Sequence, residues 1–188
     1  MRASWLDRAL ILLFIFAALV AYVYEPLFFL KCGWSGLALG DAGICSQSWV
    51  GRAWLDYLQV EPYYAKAPLW LQLVNEFDTL MFGWFYVLSA VVFIRGLQTR
   101  SWYRVLAVFM SGMMTYAMAF YLAWEALSFR ETGAKLGAVI AYNGLWIFIF
   151  ALLLIRLYLD RATARPSTGV RRPPPSAAGK RHLSILNS

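Results

Sequence analysis

The chain is poor in the residues from which most soluble enzymes build their chemistry. Only 14% of its 188 residues are charged, and it has one histidine and two cysteines. An average soluble domain carries roughly 25% charge. The lone histidine, His182, sits in a Pro- and Arg-rich tail with no companion cluster, which excludes it as a metal ligand or catalytic base. Cys32 and Cys45 form no C-x-x-C pair, so the sequence does not read as a thiol-oxidising membrane enzyme. No internal repeat stands out.

What it has in plenty is apolar and aromatic. Hydrophobic residues make up 61% and aromatics 18%, with nine Trp and eleven Tyr, and mean hydropathy is +0.57. That excludes a disordered chain, disfavours an ordinary soluble enzyme and suits a single membrane-embedded domain. A bilayer crossing takes about 20 apolar residues. Four stretches qualify: 9–30, 68–94, 105–124 and 136–155. The expected fold is all-α, a four-helix integral membrane bundle over residues 9–158. It is preceded by an N-terminus of residues 1–8 and followed by a disordered basic tail of residues 159–188. The first stretch exceeds the apolar run of 7–15 residues in a cleaved signal peptide and lacks a small-residue cleavage site, so it reads as a retained span.

Basic residues set the orientation. Twelve of the 17 Lys and Arg lie at the N-terminus, between the second and third spans (Arg95, Arg100, Arg104) and in the tail. The other side holds five: Lys31, Arg52, Lys66, Arg130 and Lys135. Both termini are therefore expected in the cytoplasm. The net charge of +7 is then a topology signal, with no nucleic-acid partner required. The connection between the first two spans, residues 31–67, is too aromatic to be disordered and reads as a lid on the non-cytoplasmic face. Cys32 and Cys45 both lie in it, on the side where a disulfide can persist.

Acidic residues inside spans cost about 2.5–3.5 kcal/mol each on insertion scales, so each is a functional candidate. From the helix rise, Glu25 lies about 7–8 Å inside the first span, Glu76 about 12 Å and Thr79 about 16 Å inside the second. Asn143 is about 10 Å and Trp146 about 15 Å inside the fourth. The five share one layer of the non-cytoplasmic half. Glu76, Thr79 and Gly83 fall on one face of their helix, while Asp78 turns away. Glu125, just past the uncharged run of the third span, reads as an interfacial charge. The structural alternative for the layer is a set of interhelical hydrogen bonds worth about 0.6–2 kcal/mol each.

At these residues the chain resembles the EXPERA-domain family, shared by the emopamil-binding sterol isomerase and the sigma-2 receptor. The resemblance covers roughly residues 9–158. Glu76-Phe-Asp-Thr79 is similar to the isomerase's Glu-x-x-Thr, and Tyr142-Asn143-Gly-Leu-Trp146 to its Asn-x-x-Trp. Glu25 falls at the family's first-helix carboxylate, and Glu61-Pro62 at its acidic-Pro step. Ala21 stands where the isomerase has His, and Tyr116 or Ala117 where it has Asp.

The resemblance implies an isomerase that shifts a carbon–carbon double bond in a sterol or related terpenoid. Glu25 and Glu76 would serve as general acid and base, oriented by Thr79 and Asn143, with the Trp146 ring facing a carbocation. Glu61, Tyr116 and Tyr142 would contact the substrate. The other reading is a non-catalytic lipid-binding or lipid-trafficking protein like the sigma-2 receptor. Either implies no cofactor and no metal. The partners to expect are a polycyclic lipid, hydrophobic amines and the bilayer, with a homodimer as an open option. The location implied is the endoplasmic reticulum in a eukaryote or the inner membrane in a bacterium.

Overall fold

Ser4 launches the first helix with a reciprocal cap. Its hydroxyl accepts from the Asp7 N–H at 3.1 Å, and the Asp7 carboxylate accepts from the Ser4 N–H at 2.8 Å. The structure, a computed structural model, describes residues 4–164, with the side chains of Asp41, Asp78 and 160–164 left aside. Among the described residues every regular element is helical. Residues 165–188, with His182 and most of the expected tail, lie outside them.

Helix α1 spans Trp5–Lys31. It is followed by two short lid helices, α2 (Gly33–Ala38) and α3 (Trp49–Leu58). Three long helices complete the chain: α4 (Leu69–Ile94), α5 (Ser101–Thr132) and α6 (Leu136–Ala164). Four helices are long and apolar enough to cross a bilayer: α1, α4, α5 and the Leu136–Leu159 part of α6. The protein is thus an all-α, multi-pass membrane protein built as a four-helix bundle.

Two elements run further than the apolar pattern indicates. Helix α6 runs to Ala164, past residue 158 where the membrane domain is expected to end. Helix α5 has 32 residues, about 48 Å at 1.5 Å per residue, well beyond a hydrocarbon core of about 30 Å. Its last turns therefore rise into the lid. Gly133 ends it in the left-handed conformation, φ 76°, which glycine adopts without a Cβ clash.

Helix α1 packs on α4 and α6, and α5 on α6. The bundle core is Leu10, Phe14, Phe85, Tyr103, Met110, Ile149 and Phe150, all buried. At the end away from the lid, Arg156 Nε donates to Asp7 Oδ1 at 2.6 Å and ties α6 to the first turn of α1. A second core of Phe28, Leu37, Trp54, Tyr64, Tyr121 and Val139 sits under the lid. Cys32 and Cys45 are joined by a disulfide that clips α2 to the turn before α3. The lid is therefore packed onto the bundle.

Candidate functional site

Pro26 shapes the first half of the site. It has no N–H, and its ring would clash with the carbonyl four residues back in a regular helix. Helix α1 responds with a π-helical turn at Val20–Tyr24, where the Glu25 N–H reaches back five residues to the Val20 carbonyl. At this turn α4 comes close. A Cβ on Gly83 would lie 3.1 Å from the Tyr22 ring and 3.4 Å from Ala21 Cβ. The face of α4 that carries Glu76, Thr79 and Gly83 thus looks at α1.

The consequence is a groove of about 610 Å³ lined by Glu25, Pro26, Phe29, Glu76, Thr79 and Leu80. Its apolar walls include Leu30 and Leu80, both largely exposed on the bundle's outer surface. Trp34 of the lid donates its indole N–H to Glu76 Oε1 at 3.3 Å. The Thr79 hydroxyl donates to the Asn75 carbonyl at 3.2 Å.

Asn143 and Trp146 lie on the inner side. They line a cavity of about 480 Å³ with Glu25, Tyr57, Tyr64, Asn75 and Tyr142. With Tyr64, Asn75, Tyr116 and Tyr121 they also line a cavity of about 280 Å³. Glu25 therefore borders both the outer groove and an inner cavity. Asn143 donates to the Tyr57 hydroxyl at 3.4 Å and to the Val139 carbonyl at 2.9 Å. Asn75 donates to the Tyr64 hydroxyl at 3.3 Å. Trp146 stacks on Tyr86, with ring centroids 5.9 Å apart and planes 18° from parallel. Tyr142 meets Tyr57 edge to face at 5.5 Å.

The structure therefore divides the residues singled out in the sequence. Glu25, Glu76 and Thr79 share the groove. Glu25, Tyr142, Asn143 and Trp146 share the larger inner cavity, and Tyr116 joins Asn143 and Trp146 in the smaller one. Glu61 lines none of these three spaces. It is fully buried behind their wall, where Oε2 accepts from the Tyr57 hydroxyl at 2.7 Å and the Tyr121 hydroxyl at 2.5 Å.

Glu125 is a correction. It is no interfacial charge, because the overlong α5 carries it under the lid and buries it completely. Glu61 Oε1 and both Glu125 oxygens are buried without a hydrogen-bond partner among the described residues, and the two carboxyls are neighbours. Burial first, then the neighbouring Glu125, drives the Glu61 carboxyl upward, against the lowering effect of the two tyrosine hydroxyls. Burial likewise holds the Tyr57 and Tyr64 hydroxyls far above the ordinary phenol range, and Tyr57 donates to Glu61 while Tyr64 accepts from Asn75. The sequence held a signal for this cluster: Tyr57 and Glu61 are four apart, as are Tyr121 and Glu125.

Among the described residues no group of three or more His, Cys, Asp or Glu is placed to hold a metal. Compared with protein-family models, curated proteins and solved structures, the chain has no match. What fold and site establish is a class: an integral membrane four-helix bundle with carboxyls at a groove and cavities beneath an aromatic lid.

Proposed function

We propose that the protein is a membrane-embedded isomerase of the EXPERA type that shifts a carbon–carbon double bond in a sterol or related polycyclic terpenoid. The observation that carries this reading is the position of Glu25. It borders a groove shared with Glu76 and a cavity shared with Asn143 and Trp146. A lipid entering sideways from the bilayer meets two carboxyls in largely apolar surroundings.

The chemistry balances without a cofactor. One carboxyl gives its proton to an alkene carbon, forming a C–H bond and leaving a cation on the adjoining carbon. The other removes a proton from the next carbon, and that C–H electron pair becomes the new double bond. The acid has lost one proton and the base gained one, so exchange with water resets the pair. The apolar walls keep water from capturing the cation, and an aromatic face near it contributes about 2 kcal/mol when desolvated.

The test is turnover in deuterated water. The purified protein, incubated with a panel of sterols and triterpenoids, should place one deuterium in each isomerised product. Glu76→Gln keeps the shape but removes the titratable proton, so turnover should fall by about 10²–10⁴ while substrate binding holds. A second reading, a non-catalytic lipid binder, draws on two observations. Buried Ala21 packs at Gly83 where the isomerase has His, and Trp146 already rests one face on Tyr86. It predicts no deuterium in any sterol, even from the unaltered protein.

A further inference from the structure

At the end of the bundle away from the lid, α5 and α6 part to leave a cleft of about 530 Å³. Its floor and sides are apolar: Val105 and Val108 from α5, Leu154 and Leu157 from α6. Its mouth is polar, with Ser101, Arg104 and Tyr158. The mouth lies at the start of α5 and near the end of α6, the level at which a bundle meets the headgroups of a bilayer.

Arg104 is the informative residue. Its Nε is buried and donates to nothing among the described residues. A guanidinium is always charged, and an N–H shielded from water without an acceptor is left with its desolvation uncompensated. The other half-buried arginine at this end, Arg156, is satisfied by Asp7 at 2.6 Å. No carboxylate lines the cleft to do the same for Arg104. An acceptor from outside the chain would complete it, and a phosphate suits the planar fork of an arginine.

From this cleft we infer a binding site for an anionic phospholipid. The phosphate sits on Arg104 and the Ser101 hydroxyl, and an acyl chain lies between α5 and α6 against Val108, Leu154 and Leu157. Charge favours an anionic over a zwitterionic lipid, since Arg100 directly precedes Ser101 of the mouth and Arg95 belongs to the same short connection between α4 and α5. The acyl groove distinguishes the occupant from free phosphate. This site is remote from Glu25 and Glu76 and stands whatever chemistry they perform.

The test is native mass spectrometry of the delipidated full-length protein in detergent, titrated with phosphatidylglycerol, phosphatidylcholine or inorganic phosphate. The expected result is one tightly retained phosphatidylglycerol, retained at least tenfold better than phosphatidylcholine, with no retained phosphate. Arg104→Gln should lose that preference, Arg104→Lys should keep part of it, and the exposed lid variant Arg52→Gln should keep all of it. Leu154→Trp, which fills the groove and leaves the arginine in place, should release the lipid as well. Equal retention by wild type and Arg104→Gln overturns the site. Phosphate retained as firmly as the lipid, or Leu154→Trp retaining it unchanged, overturns the lipid as occupant.

Discussion

At the scale of single residues, two glutamates and one glycine make the sharpest claims. A hydrophobic amine is a stable mimic of a carbocation, so it should bind where Glu25 and Glu76 meet and raise the melting temperature. Glu25→Gln and Glu76→Gln should each weaken it at least tenfold, about 1.4 kcal/mol or more. Equal affinity across wild type and both variants would move the amine elsewhere. Gly51 tests packing instead of charge. It presses on the Cys45 backbone so closely that an added Cβ would run into the Cys45 carbonyl. Gly51→Ala should cost about 1–3 kcal/mol and hinder the disulfide. Gly112→Ala, where a Cβ meets nothing within 4 Å, should melt like the wild type.

At the scale of elements, the four spans were legible because twenty apolar residues in a row have few other uses. Their ends were not. Helix α5 outruns its apolar stretch by eight residues on the lid side, Glu125 to Thr132, and only packing against the lid makes burying Glu125 tolerable. The π turn was hidden for a similar reason, since Pro26 signals a distortion without saying whether the helix kinks, breaks or widens. The same lid packing gives a pH prediction. Burial pushes the Glu61 carboxyl from its ordinary 4.5 up to about 8. Its immediate surroundings are Tyr57, Tyr64, Tyr121 and Glu125, none of them cationic. A raised folded-state value means the folded lid holds its proton more tightly than the unfolded chain does. That stability is complete below about pH 4.5 and is lost as pH rises through 8. Protection of the α3 amides, taken relative to the intrinsic exchange rate at each pH, should therefore fall between pH 5 and 9, and Glu61→Gln should flatten that profile. A profile equally steep in Glu61→Gln would assign the titration to another group.

At the scale of the whole molecule, the sequence pattern captured which helices supply the polar layer but missed how they divide it. Depth along a helix is a one-dimensional quantity, and it placed Glu25, Glu76, Thr79, Asn143 and Trp146 at one level. Azimuth depends on tertiary packing, and it sends Glu76 and Thr79 to a groove on α1 while Asn75 turns inward toward Asn143. Orientation in the membrane rests on charge alone, because a bundle has no preferred direction apart from its flanking basic residues. The lid carries a disulfide, which persists in oxidising compartments, and the α4–α5 turn carries Arg95 and Arg100 at the opposite end. We therefore expect the lid outside the cytoplasm and the α4–α5 turn inside it. Arg95 and Gln59 are both exposed, one at each end. In sealed membranes a membrane-impermeant maleimide applied from the cytoplasmic side should label Arg95→Cys at once and Gln59→Cys only after permeabilisation. The reverse pattern would invert the protein. It would put the disulfide in a reducing compartment and the proposed phospholipid cleft in the outer leaflet.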